Sequence, residues 1–191
     1  MTDPINPLTE IQVEEWRTDA SRTTSVDDEI DMLAEVLHAV VHAGAGVSFF
    51  APFSIAEAHA FWVDKVLSAM RAGTRRVVVA RLDDRIVGTV QLDLEMPPNQ
   101  QHRVAVTKLL VHPAAQRRGI GRALMLALEE IAQSERRTLL TLDTVTGSAA
   151  ELLYRSLNYV TVGVIPRYAR GALSPELEST TIMYKELHHG A

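Results

Sequence analysis

Val111–His112–Pro113–Ala114–Ala115–Gln116–Arg117–Arg118–Gly119–Ile120–Gly121–Arg122 separates a Val- and Leu-rich run from a stretch with helical spacing. Two glycines in a short turn between a strand and a helix let successive backbone N–H groups point into one cavity, and the helix N-terminus adds partial positive charge. That combination suits a pyrophosphate, and Arg117, Arg118 and Arg122 bring further charge beside it. An ordinary strand-to-helix turn with solvated arginines is the competing reading. The strand, proline, loop and helix standing in sequence favour phosphate binding. Two other nucleotide loops are excluded. A Walker A loop needs Gly-Lys followed by Ser or Thr, which the chain lacks. A dinucleotide fingerprint needs a third glycine where Leu124 stands, although Asp143 falls close to the expected acidic position.

Working outward, a strand is predicted over Arg103–Val111 and a helix after Gly121, with Leu124, Leu128 and Ile131 on one face. Upstream, the Val-rich runs Arg76–Leu82 and Arg85–Leu94 are joined by Asp83–Asp84, which reads as a tight hairpin turn. Pro97–Pro98–Asn99 breaks the second run. Before these lie two helices. One covers Asp28–His42 behind Ser25, with Met32, Leu33, Val36, Leu37, Val40 and Val41 in a stripe. The other opens at the capping box Ser54–Ile55–Ala56–Glu57 and stops at Gly73. Downstream come a strand at Thr138–Thr144, a helix from the capping box Ser148–Glu151 to about Leu157, and strands at Tyr159–Ile165 and Thr180–Leu187. The order implies a mixed α/β sheet covered by helices.

At 191 residues, 47% hydrophobic and 23% charged, the sequence suits one compact domain over 1–191, with 1–27 a weakly defined segment and 188–191 a tail. The absence of cysteine removes disulfide scaffolds, Cys-ligated metal and a cysteine nucleophile, and it fits a reducing compartment. A net charge of −5 argues against a nucleic-acid partner. Met1–Leu8 has neither a basic nor an apolar signal region, and no apolar run is long enough to span a bilayer, so a cytoplasmic protein without a membrane partner is expected. His38 and His42 are four apart, but Ala39 follows where a zinc-binding helix would carry Glu, and no metal site is expected.

Gln116-x-x-Gly119-x-Gly121, preceded by Leu109–Leu110–Val111-x-Pro113, resembles the acetyl-CoA pyrophosphate loop of the GNAT superfamily of N-acetyltransferases. Ala150–Glu151–Leu152–Leu153–Tyr154 followed by Asn158–Tyr159 is similar to that family's second block, and the resemblance covers about Arg76 to Leu187. It implies an α/β (α+β) GNAT acyl-CoA N-acyltransferase fold: a mixed, mostly antiparallel sheet with splayed parallel central strands flanked by helices. It implies acetyl-CoA as cosubstrate, held by Leu109, Leu110, Val111, Gln116, Arg117, Arg118, Gly119, Ile120, Gly121, Arg122, Ser148 and Tyr154. A narrower likeness, carried by Leu142–Asp143–Thr144-x-x-Gly147–Ser148, by Val162–Gly163–Val164–Ile165–Pro166-x-Tyr168 and by Gly46–Phe50, is to the tabtoxin resistance acetyltransferase branch. That branch acts on small amino compounds, so the acceptor implied is a small-molecule amine, with a toxin or antibiotic among the candidates.

Acyl transfer from a thioester to an amine develops an oxyanion, which needs a backbone N–H donor, and the resemblance implies that it comes from the end of the strand matching Leu110–Val111. The departing thiolate benefits from a proton donor, and Tyr154 is the candidate, against the plain reading of a core aromatic. Many family members place a carboxylate base on the strand matching Arg103–Val111, where this chain has none. Asp143 is the first choice instead, against the reading that it only holds a turn; Asp93, Glu95 and His112 follow. Gly147 stands where many members carry an asparagine on the pantetheine arm, and Asn158 replaces a glycine at a helix end. Arg167–Pro175 is expected to be a loop between two strands, serving as a substrate lid or as a homodimer contact. Two alternatives remain at this stage: a protein or peptide N-acetyltransferase, and a CoA-binding module without catalysis.

Overall fold

The computed structural model describes residues 10–18 and 24–188; the readings placed on Met1–Leu8 and on the last three residues lie outside them. In chain order the elements are β1 (Gln12–Glu15), α1 (Val26–His42) and α2 (Ile55–Ala60), which continues through a π-helical stretch (Phe61–Leu67) into α3 (Ser68–Arg71). Then follow β2 (Arg75–Leu82), β3 (Arg85–Asp93), β4 (Arg103–Val111), α4 (Ile120–Ser134), β5 (Leu139–Val145), α5 (Ala149–Ser156), β6 (Val160–Arg170) and β7 (Leu177–Glu186). The strands form one sheet in the order β1-β2-β3-β4-β5-β7-β6. Every neighbouring pair is antiparallel except β4 and β5, which run parallel.

Period-2 alternation along β2 explains why it reads as an unbroken valine run: Val77 and Val79 pack under α1 on one face, Val78 and Ala80 against α4 on the other. Helix starts follow the capping residues. Ser25 Oγ accepts from Asp28 N (3.1 Å), and Ser54 and Glu57 complete a reciprocal box. At α5 the box expected from Ser148 and Glu151 is shifted. Ser148 Oγ accepts from Glu151 N (3.2 Å), but the Glu151 carboxylate takes the N–H of Gly147 (2.7 Å) because the Ser148 N–H already bonds Val145 O. That bond from Gly147, and then the one from Arg155, hold the Glu151 carboxyl below its ordinary pKa.

Asp83 and Asp84 both adopt positive φ (48° and 62°), as a type I′ hairpin turn requires, without the glycine that usually supplies it. Asn158 likewise takes φ 66° after α5, so the replacement of glycine there is tolerated. Three differences stand out. β1 was not anticipated, since four polar-flanked residues carry no period of their own. It is held from outside by Trp16 Nε1 donating to the buried Glu29 (2.7 Å) and by Arg81, which pairs with Glu29 and with Glu14. The second helix was read as one regular element and contains the wide turn at Phe61–Leu67. Arg167, Tyr168 and Arg170 belong to β6 rather than to a loop: β6 resumes pairing with β7 at Ala169↔Glu178 after a bulge over Pro166–Tyr168, where Arg167 has φ 55°.

Candidate active site

Only three residue pairs, Arg103↔Leu139, Val104↔Leu140 and Ala105↔Thr141, join β4 to β5. Both strands continue for several residues beyond the last pair, so they diverge and open a cleft between the halves of the sheet. Parallel strands leave such a crevice at their carboxyl ends, where the next helices begin. Here it forms a cavity of about 670 Å³.

One end of that cavity is built by the loop from β4 to α4. Arg117 (φ 63°) and Gly119 (φ 80°) turn the chain into α4, with Gly119 as its left-handed N-terminal cap. A helix of 15 residues then presents first-turn N–H groups that have no partner within the helix. Gln116, Arg117, Gly119, Ile120, Gly121 and Arg122 line the cavity. Gln116 is held by its side-chain amide donating to Val111 O (3.2 Å), and Arg122 by a bond to Ser156 Oγ (2.7 Å). The donor set, free helix N–H groups with two arginines, fits a pyrophosphate. Two residues expected in this group sit elsewhere. Leu110 is buried under α1, and Arg118 does not reach the cavity wall.

The middle of the cavity comes from β4 and α5. Between Thr89↔Leu110 and Gln91↔Thr107 the β3–β4 register shifts, so Lys108 and Leu109 together oppose Val90: a bulge, with Lys108 at φ 53°. Leu109, Val111, Ser148 and Tyr154 line the cavity beside it. Tyr154 is 6% exposed and packs against Tyr159 (ring centroids 5.6 Å apart). Burial, and secondarily the charge of Asp143, raise the Tyr154 pKa well above that of a free phenol. Its oxygen is therefore protonated throughout the neutral and alkaline range.

The far end is made by β5, β7 and the segment after α1. Asp143 and Glu178 line it, together with Gly44–Ser48. Thr180 Oγ1 donates to Asp143 Oδ2 (3.1 Å) across the β5–β7 pair. Asp143 does not hold the following turn; that turn is closed by the bonds at Gly147, Ser148 and Glu151 and by Thr144 Oγ1 with Ser148 Oγ (3.2 Å). Gly46 crosses β5 so closely that a Cβ there would lie 2.6 Å from Val145 Cγ2. Valine has little rotamer freedom to yield. Gly46→Ala is accordingly expected to destabilise the fold by about 1–3 kcal/mol, the cost of overpacking, measured by urea denaturation. Adding Val145→Ala is expected to recover most of that loss, a coupling that independent sites would not show.

Sequence reading missed Lys108, and also Glu178 and Gly44–Val47, as cavity wall. Lys108 Nζ bonds Ser48 Oγ (3.1 Å) and lies 5.6 and 5.9 Å from the ring centroids of Phe49 and Phe61. Burial lowers its pKa, Arg75 adds to that, and Asp143 opposes it. The available signal was a cation in the middle of a central strand whose other interior residues are apolar except Thr107. Asp93, at the end of β3, pairs with Arg75 of β2 (3.0 Å), and neither Asp93 nor Glu95 nor His112 is part of the cavity wall. Among the described residues no cluster of three or more His, Cys, Asp or Glu is arranged to hold a metal ion. No helix of the described residues is long and apolar enough to cross a membrane.

A family model described as "Acetyltransferase (GNAT) domain" matches residues 73–161, the segment that contains β4, β5, the loop before α4, and α5. The fold is the GNAT acyl-CoA N-acyltransferase fold. An N-acetyltransferase from Staphylococcus aureus Mu50 superposes with a TM-score of 0.75 at 12% identity, covering 93% of this chain and 99% of that one. The protein yncA from Salmonella typhimurium, whose structure is described with its cofactor acetyl-CoA, gives 0.73 at 17%, covering 95% and 96%. A ribosomal-protein-alanine N-acetyltransferase from Brucella melitensis gives 0.71 at 19%, covering 92% and 99%. At these identities the likeness is one of fold. β4 carries Lys108 and no carboxylate.

Proposed function

We propose that this chain is an acetyl-CoA-dependent N-acetyltransferase that acts on a primary amine of a small molecule in a direct ternary complex. One observation carries the reading: a single cavity joins an anion-binding helix start, a buried protonated tyrosine and an acidic far end. Acetyl-CoA, the cofactor of GNAT acetyltransferases, supplies an acetyl thioester. Gln116–Arg122 would hold its pyrophosphate and Ser148 part of its arm. The bulge at Lys108–Leu109 frees β4 backbone from regular pairing where an oxyanion needs an N–H donor. The acceptor nitrogen bonds to the acetyl carbon as the carbon–sulfur bond breaks. Tyr154 gives its proton to sulfur, and Asp143 takes the proton lost by the amine, directly or through water. The wall that Gly44–Ser48 adds at the far end supports a small acceptor, as does the sequence likeness to the tabtoxin resistance branch.

The test is calorimetric titration with acetyl-CoA followed by thiol release against amino acids, aminoglycosides, polyamines and short peptides. Binding with release for a small amine is expected. Release for peptides alone would replace the substrate class, binding without release would leave a CoA-binding module, and no binding by folded protein would overturn the reading of Gln116–Arg122.

A further inference from the structure

We infer that the acceptor is a zwitterion, an amine that also carries a carboxylate, and that Lys108 is the residue that recognises the carboxylate; this deepens the acyl-transfer reading and rests on it. Lys108 lies within the cavity wall, where removal from water makes an ammonium costly unless an anion compensates it. Among the described residues it makes no ion pair. Its partners are a serine hydroxyl and two aromatic rings, which orient the group, and the nearby charge of Asp143 offsets only part of the cost of its burial. The bulge is what aims it there. In regular pairing a lysine at this place in β4 would follow the alternation of the strand, whereas Lys108 at φ 53° swings toward the Gly44–Phe50 segment.

Thr107, its neighbour in the cavity wall, has a buried hydroxyl without a hydrogen-bond partner among the described residues. The Lys108 ammonium, with donors left over after its bond to Ser48, has room for an acceptor atom of the kind a carboxylate oxygen supplies. The opposite requirement is met across the cavity, where Asp143 and Glu178 offer negative charge to the ammonium form of the incoming amine. Arg117 and Arg122 are committed to the phosphate end by their position on the loop and α4, so Lys108 is the cation left for the acceptor. A simple polyamine would meet repulsion from Lys108, and a neutral amine would leave it uncompensated.

The experiment compares L-α-amino acids and straight-chain ω-amino acids, each against its own carboxamide, with the intact protein and with Lys108→Met and Lys108→Arg. Thiol release gives kcat and KM, and calorimetry in the presence of CoA gives acceptor binding independently of turnover. The intact protein is expected to prefer at least one acid over its amide by about ten- to a hundredfold in kcat/KM, the worth of a charged hydrogen bond. That preference should collapse to near parity in Lys108→Met, through KM rather than kcat, and be partly restored in Lys108→Arg. Equal or better use of every carboxamide by the intact protein would overturn the proposal whatever the variants do. So would a loss in Lys108→Met that falls on kcat equally for acids and amides, which would make Lys108 a proton-transfer group. Failure of the acyl-transfer reading is separately visible as absent acetyl-CoA binding.

Discussion

Tyr154→Phe is expected to slow acetyl transfer by roughly 10²- to 10⁴-fold, the usual contribution of a positioned acid, while acetyl-CoA affinity changes by no more than the fewfold worth of one neutral hydrogen bond. The ring is retained, so its packing against Tyr159 and the core around α5 survives, and only the hydroxyl is lost. The pH profile provides the sharper test. Burial and then the nearby charge of Asp143 raise the Tyr154 pKa, so the phenol keeps its proton through the neutral and alkaline range and contributes no alkaline limb of its own. The variant should therefore lie below the parent by a constant factor at every pH where the acceptor amine is deprotonated. Amines whose transfer is limited by thiolate departure should suffer most. Equal turnover by the two proteins would remove Tyr154 from the mechanism and leave it as a core aromatic.

The scaffold was legible because it rests on local chemistry. Ser25, Ser54, Gly73 and the apolar stripe of α1 mark helix ends and faces by themselves, and the valine runs of β2 and β3 have no other way to be buried. The candidate phosphate loop was legible as a shape for the same reason, since Gln116–Arg122 is one continuous segment that turns into α4 at Gly119. The far end of the cavity was not. Lys108 faces the cavity only because one extra residue in β4 breaks the alternation, and a bulge has no sequence period to detect. Glu178 and Gly44–Ser48 come to Asp143 from β7 and from the segment after α1, contacts set by sheet order alone. Asp143 was found, but as a strand-end acid whose partner, Thr180, could not be named without the β5–β7 register. Chemistry held in one segment was readable; chemistry assembled across segments was not.

Gly121→Glu is expected to abolish acetyl-CoA binding in a protein that still folds. Gly121 stands in the first turn of α4 on the cavity wall, where the helix N–H groups and the macrodipole concentrate positive potential. A carboxylate there satisfies the same donors as the pyrophosphate, so the variant blocks the site with its own anion as well as with bulk. The fold has reason to survive, because an acidic side chain in a helix first turn is itself favourable. The crowding is modest: a Cβ at Gly121 lies 3.1 Å from Leu153 Cδ2, the far end of a leucine side chain. Gly121→Ala separates the two effects. It carries the same Cβ and should bind acetyl-CoA with an intermediate affinity, while Gly121→Gln carries the bulk of Glu without its charge, so a loss confined to Glu assigns the effect to charge. Calorimetry would show no heat with acetyl-CoA for Gly121→Glu at concentrations that saturate the parent, and the melting curve would stay cooperative. An unchanged affinity in the folded Glu variant would place the phosphates elsewhere and take the whole reading of the Gln116–Arg122 loop with it.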